Sequence, residues 1–402
     1  MISQPINEIK IANFKSIPDM TLPLKNINIF IGPNGSGKSN ILEAIGILSA
    51  ATTGRVDDTS LYRRGVRPGV PRLYKSAFVE KRIAPHIYFE AHSSDAKYTV
   101  SLHNPLEQQQ IIWRFKTEEL RESGIPVFSR GPRKSTSGHA IKQLNQEDGL
   151  AALKMVELPE SSYGRSLLTK LRDYAIFSPN TLTLRGLIPD MQSRDPVGLS
   201  GGSLADALMN LQKQAKSDVF LEEQYENYVS LIDWISNVDT STATGSLLSP
   251  TIPRQKLSVR FHDRFMRDGK NELSGYDASE GALYILFVAV LALLPNAPSC
   301  FAIDNFDQAL NPRLVQRLTS TICSRISPLK QILLTAHNPA VLDGIPLYDP
   351  QVQLFIVDRN AAGYTQCRPL IITDELVKLS EEKKWPLSQL WVSGDLGGVP
   401  NV

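Results

Sequence analysis

The alternation in Ile9-Lys10-Ile11-Ala12-Asn13-Phe14 predicts a half-buried strand, and Ile27-Asn28-Ile29-Phe30-Ile31 is the short apolar run of a strand covered on both faces. Ile17-Pro18-Asp19 between them reads as turn material. The second run ends in glycine, and the residues after Ser39 place Ile41, Leu42, Ile45 and Leu48 on one helical face. The chain therefore opens as strand, loop, helix. From 51 to about 255 short β-like runs (86–90, 98–102, 111–115) mix with amphipathic stretches such as 203–211, and 129–138 and 239–249 read as exposed connectors. Beyond 255 the pattern sharpens. It predicts a strand at 257–261, a turn at 267–270, a long apolar helix from Ser279, a buried strand at 300–303, a helix opened by Pro312 and a strand at 331–335. Such alternation predicts α/β layering, with 1–50 and 256–402 forming one head and 51–255 an inserted lobe, partly β and partly helical.

At 402 residues and 42% hydrophobic the chain can bury one large core or two smaller ones. Lys+Arg 43 against Asp+Glu 41 excludes a globally basic nucleic-acid coat and leaves only local basic patches. Three scattered cysteines (Cys300, Cys323, Cys367) fit neither a disulfide framework nor a zinc site, so a reducing, cytoplasmic setting is expected. The start of the chain shows no signal peptide, and the apolar run at 282–294 falls short of the roughly 20 residues that span a bilayer. No membrane partner is expected.

The candidate chemistry begins at Gly32-Pro33-Asn34-Gly35-Ser36-Gly37-Lys38-Ser39, which matches G-x-x-x-x-G-K-[ST] between an apolar strand and an amphipathic helix, the context the motif requires. Glycines let successive backbone N–H groups turn toward one anion, Lys38 supplies a point charge for outer phosphates, and the Ser39 hydroxyl suits Mg²⁺. The partner feature is an apolar strand ending in aspartate, and Phe301-Ala302-Ile303-Asp304 supplies it. Asp304 reads as a holder of the Mg²⁺ water shell or as a helix cap, and the upstream phosphate loop favours the first. ATP and Mg²⁺ are thus the expected ligands. The next residue, Asn305, can orient a water but cannot take its proton, so slow hydrolysis is expected. Asp307 is either a substitute base or a solvated turn carboxylate.

These blocks resemble the ABC-type ATPase heads of the RecF, SMC and overcoming-lysogenisation-defect group, especially small stand-alone AAA-class ATPases of bacteria. The resemblance rests on Ile11 to Ile17, the phosphate loop through Asn40, Ala278-Ser279-Glu280-Gly281, Ile303-Asp304 through Asn311-Pro312, Leu334 to Pro339, and the closing Leu390-Trp391 to Pro400. It covers about the first 50 and last 150 residues. It implies a P-loop NTPase fold, an ABC-ATPase-like head with a mixed sheet and an inserted mostly helical lobe. Ser279 and Gly281 then stand where such heads place a signature motif that caps the γ-phosphate bound by the opposite subunit; from the residues alone, Ser279 is equally an ordinary N-cap. His337 stands where a switch histidine touches the γ-phosphate, and transporter- and chromosome-type relatives carry glutamate where this chain has Asn305. Gly198-Leu199-Ser200-Gly201-Gly202 spells a transporter-like signature but lies far from Asp304, and reads as a flexible loop capping the helix from Ser203.

Two basic stretches, Arg63, Arg64 and Arg67 with flanking aromatics, and Arg130, Arg133 and Lys134, read either as solvated faces or as contacts to DNA or RNA. The other histidines show no metal spacing. The stretch between Lys38 and Asp304 is too short for a coiled-coil arm of tens of nanometres, which takes several hundred residues at about 1.5 Å each. The resulting expectation is an ATP-dependent homodimer or higher oligomer acting as a switch in prokaryotic defence or DNA maintenance with a separately encoded effector such as a nuclease. The rival expectation is a non-hydrolysing scaffold with ATP locked in place.

Overall fold

The computed structural model describes residues 4–131, 145–242, 247–252, 256–346, 348–371 and 373–396. The chain opens with β1 (Glu8–Phe14), β2 (Ile17–Pro23), β3 (Ile27–Ile31) and α1 (Lys38–Thr52). It continues with α2 (Asp58–Tyr62) and the strands β4 (His86–His92), β5 (Ala96–His103), β6 (Arg114–Glu122) and β7 (Ile125–Arg130). Then come α3 (Leu150–Lys154), α4 (Tyr163–Asp173), β8 (Ala175–Phe177), α5 (Thr181–Leu184), α6 (Leu204–Ala215), α7 (Val219–Val229) and β9 (Ile235–Ser241). The last part holds β10 (Ser258–Asp263), β11 (Glu272–Ser274), α8 (Glu280–Leu293), β12 (Cys300–Ile303), α9 (Pro312–Arg325) and β13 (Gln331–Ala336). It closes with β14 (Val352–Arg359), β15 (Thr365–Leu370), α10 (Asp374–Lys383) and α11 (Leu387–Val392).

The central sheet has the order β15-β14-β3-β13-β12-β8, parallel except for β15. Period-two sorting splits its side chains between two cores. Ile27, Ile29 and Ile31 of β3 pack with the apolar α8 on one side, whereas Phe30 joins Ile41, Leu42 and Ile45 of α1 on the other. The α1 side is closed by an antiparallel sheet, β2-β1-β4-β5-β6-β7, so α1 is sandwiched and buried almost all round. A three-stranded sheet, β11-β10-β9, packs its inner residues Val238, Val259 and Phe261 into the α8 core.

Several local expectations change. Ile17-Pro18-Asp19 is the start of β2, because Asn13 (φ 60°) and Lys15 (φ 45°) make the hairpin turn tight enough to pair Phe14 with Ile17. Asp239 to Ser241 belong to β9, paired to β10 through Asp239↔Arg260, and β6 begins at Arg114, leaving Ile111 outside. Within 51–255 the helices α2 to α7 alternate with strands, of which β4–β7 extend the sheet of β1 and β2 and β8 enters the central sheet. Those pairings join segments far apart in sequence, which local patterning does not register.

Helix α8 carries no charge after its first turn, so its ends need partners from elsewhere. Ser279 caps its start, accepting the Ala282 N–H at 3.3 Å. At its end the buried Lys330 ammonium donates to the carbonyls of Leu291 (2.7 Å) and Leu294 (2.9 Å). Burial lowers the Lys330 pKa to about 8, only partly opposed by Asp173. The folded state therefore binds fewer protons than the unfolded chain between about pH 8 and 10.5, and stability rises with pH across that window. Chemical denaturation from pH 7.5 to 10.5 should show the wild type gaining up to about 3 kcal/mol relative to Lys330→Met. A Lys330→Met variant with the same pH slope as the wild type would show that burial does not lower the pKa of this ammonium.

Candidate nucleotide site

β3 and β13 end level, Ile31 pairing with Ala336, and β12 ends two residues earlier, Ile303 pairing with Leu334. Their C-terminal ends therefore deliver the phosphate loop, His337 and Asp304 to one edge, the position where open α/β sheets place ligands. Gly32 lies so close to β14 that a Cβ there would stand 1.9 Å from the Val357 carbonyl oxygen. Gly37 has φ 108°, and a Cβ on it would stand 2.0 Å from Thr365 Oγ1. Thr365 in turn donates to the Ser36 carbonyl at 2.8 Å and lies 2.7 Å from Ser16 Oγ, to which Asn40 Nδ2 donates at 2.7 Å. The loop is thus clamped from behind by β14, β15 and the β1–β2 turn, while Asn34 and Gly35 are exposed in front.

Helix α1 begins without a side-chain cap and without an acidic residue in its first turn, and its first residue is a lysine. Free N–H groups and a positive dipole end facing a cation require an anion. The Lys38 ammonium, 6% exposed, donates to the loop carbonyls of Gly32 (2.7 Å) and Pro33 (3.0 Å). Burial pulls its pKa down, opposed by the carboxylates of Asp304 and Asp307. Ser36 Oγ is buried without a partner among the described residues. These residues fit a polyphosphate chain.

Asp304 accepts the Ser39 hydroxyl at 2.8 Å on Oδ2 and the Thr335 hydroxyl on Oδ1. Thr335 also receives the Asn305 N–H at 2.8 Å. Ser39 and Asp304 therefore form the hydroxyl–carboxylate pair that suits Mg²⁺ and its water shell. Asn305 has φ 53°, a left-handed conformation that asparagine tolerates better than most residues, and its amide makes no hydrogen bond among the described residues. Asp307 is not a solvated turn carboxylate. It is 3% exposed, and its Oδ2 accepts the N–H groups of His337 (3.0 Å) and Asn338 (2.6 Å). Oδ2 also lies 3.4 Å from His337 Nδ1, with the His337 side chain 44% exposed.

Ser279 and Glu280 are exposed at the start of α8, and a Cβ at Gly281 would come within 3.3 Å of the Ala309 carbonyl in the turn after β12. On both sides of Ser279 the segment after β8 makes contact. Arg185 Nη2 donates to the Ala278 carbonyl at 3.0 Å, and the Thr181 hydroxyl bonds Glu280. The Gly198–Gly202 loop is not loose: Asp190 Oδ2 accepts the N–H groups of Ser200 (3.0 Å) and Gly202 (3.2 Å). Ser203 makes no side-chain cap to α6.

The basic stretches change most. Arg64 is buried, its guanidinium spent on Ser49 Oγ, the Ser60 carbonyl and Thr53 Oγ1, so it presents nothing to a nucleic-acid phosphate. Burial, with Arg194, Arg172 and Arg63 nearby, lowers its pKa to about 10. Arg67 is tied to the buried Glu43 (2.6 Å), which also binds Lys15. Burial raises the Glu43 carboxyl, but Arg67 and Lys15 carry it below its ordinary value. Arg63 stays exposed, Arg130 is held by the carbonyls of Asn145 and Asp148, and Arg133 and Lys134 lie outside the described residues, as do the tail residues beyond Leu396. Sequence reasoning missed Thr335, Thr365 and Glu43; a lone hydroxyl inside the apolar Ile332-Leu333-Leu334-Thr335 run was the available signal for the first. It also passed over His92, whose ring nitrogen β-pairing brings within 4.8 Å of carboxylate oxygens of Glu8 and Glu90. There Lys97, 2.7 Å from Glu90, already supplies the positive charge.

A phosphate cradle, an acidic strand end bonded to the loop serine and a histidine just after the intervening strand define an ABC/SMC-like P-loop ATPase fold. The family described as "AAA domain, putative AbiEii toxin, Type IV TA system" matches residues 27–343, and the chain belongs to it. DNA replication and repair protein RecF of Corynebacterium jeikeium is 42% identical over 62 residues, 15% of each chain. RecF of Beutenbergia cavernae is 38% identical over 85 residues, 19% of this chain and 21% of that protein, so only a small part of these relatives is spanned. The crystal structure of an SmcHead bound to the C-winged helix domain of ScpA is similar with TM-score 0.51 and 12% identity, covering 91% of this chain and 98% of that one. Among the described residues no helix is long and apolar enough to cross a membrane.

Gly37→Ala should abolish binding of a fluorescent ATP analogue and lower stability by about 1–3 kcal/mol, through both the positive φ and the Thr365 clash. Thr365→Ala in the same chain should recover only part of the stability, measured by urea denaturation.

Proposed function

We propose that the chain is a nucleotide-gated ATPase that binds ATP·Mg²⁺ and closes into a head-to-tail dimer, Ser279 of one protomer completing the site of the other. The observation that carries this reading is the uncapped, lysine-headed start of α1 beside the bonded pair Ser39–Asp304, a half-site built for a triphosphate and lacking a cap for its outer end. The exposed start of α8 offers that cap: its free N–H groups and dipole suit the γ-phosphate. Mg²⁺, held by Ser39 and through water by Asp304, would neutralise charge developing on the phosphates. Association then follows nucleotide state, because the composite site is complete only with the γ-phosphate in place. A role in defence or DNA maintenance with a separate effector is part of the same reading, supported by the family description and the RecF similarity.

A non-hydrolysing scaffold is the second reading, favoured by Asn305 and by the burial of Asp307. Phosphate release over hours separates the two, with Lys38→Ala as the baseline.

The composite site has a direct test by light scattering with ATP·Mg²⁺. Lys38→Ala and Ser279→Arg should each stay monomeric alone and dimerise when mixed, because one intact site remains in the mixed pair. Failure of the mixture to associate while the wild type does would overturn the shared-site reading. Arg185→Ala should bind ATP as the wild type does yet need at least tenfold more protein to dimerise, because the carbonyl before Ser279 loses its anchor.

A further inference from the structure

Of the basic stretch Arg63, Arg64 and Arg67, the last two are spent on the protein itself, and Arg63 is left over. Its guanidinium is exposed and has no hydrogen bond or ion pair among the described residues. It borders an open groove of about 700 Å³ between α2 and the turn after Asp190, lined also by Asp58, Tyr62, Met191 and Gln192. That is the size of a small-molecule site, and the phosphate loop, Asp304 and His337 contribute nothing to it. Both of its walls are held in place. A capping box closes the start of α2: Asp57 accepts the Ser60 N–H at 2.8 Å, and the Asp57 N–H donates to Ser60 Oγ at 2.9 Å. Asp190 accepts the Gln192 N–H at 2.9 Å as well as those of Ser200 and Gly202, so the turn that presents Met191 is pinned to the Gly198–Gly202 loop. Gln192 Nε2 donates to the Tyr62 carbonyl at 2.7 Å and ties one wall to the other. On this fixed frame Met191 stands 76% exposed, a large apolar side chain held out in water.

We propose that this groove binds a nucleoside 5′-monophosphate unit whose base carries an amino group, the base against Tyr62 and Met191 and the phosphate on Arg63. An aromatic ring and a polarizable thioether are surfaces on which a planar base stacks. The guanidinium of Arg63 has its whole fork free for phosphate oxygens. The surrounding field favours an anion, because Arg172 and Arg194 act together with Arg63 on the buried Arg64. Gln192, its Nε2 spent on Tyr62, keeps Oε1 as an acceptor, and the Asp58 carboxylate only accepts, so these two groups suit the amino group of adenine or cytosine better than the carbonyl of uracil. The groove is separate from the phosphate loop, and its occupancy does not depend on whether the chain hydrolyses ATP. A free nucleotide and one residue of a single strand share this chemistry.

The test is isothermal titration calorimetry with AMP on the full-length wild type and on Lys38→Ala. AMP should bind both chains at one site with the same Kd. Adenosine, ribose 5-phosphate and UMP should each bind about fivefold more weakly or worse, because each lacks one of the contacts. Arg63→Glu and Met191→Glu, both at exposed positions, should each raise the AMP Kd about tenfold or more while urea denaturation stays as in the wild type. An oligoadenylate of about ten residues separates the sources: a Kd more than about tenfold below that of AMP, with a steeper salt dependence, identifies a single strand as the occupant, and a Kd nearer that of AMP identifies the free nucleotide. AMP binding that is lost in Lys38→Ala would place it at the phosphate loop and overturn the proposal. So would binding that survives unchanged in Arg63→Glu and Met191→Glu, or the absence of binding by both AMP and the oligoadenylate.

Discussion

Everything at the nucleotide edge depends on one constraint, the register of three parallel strands. Because Ile31 ends opposite Ala336 and Ile303 ends two residues short of it, opposite Leu334, the loop after β3, the histidine after β13 and the aspartate after β12 emerge at the same edge. A shift of one residue would turn Asp304 to the opposite face of the sheet and break its bonds to Ser39 and Thr335. The register is held by burial on both faces: alternate side chains of β3 belong to different cores, and neither can be exchanged without exposing isoleucine or phenylalanine.

That frame supports an electrostatic imbalance. The start of α1 presents uncompensated N–H groups and a buried ammonium, and the loop that carries them cannot relax backward because Thr365 and the Val357 carbonyl fill the space behind it. Beside it, the Lys15–Glu43–Arg67 cluster sets two cations against one buried carboxylate and keeps a net positive charge. The unsatisfied positive end therefore faces outward, toward the groove between the phosphate loop and Asp304. Behind His337 the balance is reversed: Asp307 is a buried carboxylate whose Oδ2 accepts the backbone N–H groups of His337 and Asn338, with the Lys38 ammonium near enough to interact with it.

The segment after β8 connects the two halves of this arrangement. The Asp304 N–H donates to the Phe177 carbonyl at 2.9 Å, and eight residues later Arg185 holds the carbonyl that precedes Ser279. The same short path thus touches Asp304, the carboxylate bonded to Ser39, and the exposed start of α8 at Ser279. The Asp190-pinned Gly198–Gly202 loop braces it, with its backbone bonded to Ser178 and Asn180.

The phosphate loop, its lysine and serine, the acidic strand end and the helix starts at Ser279 and Pro312 were all legible in the residues, because each is a local pattern whose chemistry is complete within a few positions. The α/β layering was legible too, since a strand buried on both faces must be apolar throughout. What the chain order hid were contacts made by pairing across long separations. Examples are the entry of Ala175–Phe177 beside Asp304, the clamp of Thr365 on the phosphate loop, and the burial that makes Arg64 structural. So also with Asp307, a turn carboxylate by sequence that packing turned into the support of His337. Sequence determines which groups carry the chemistry because composition and spacing are intrinsic to it; their charge state, orientation and partners were decided by tertiary structure, because desolvation and hydrogen-bond geometry exist only once distant segments exclude water together.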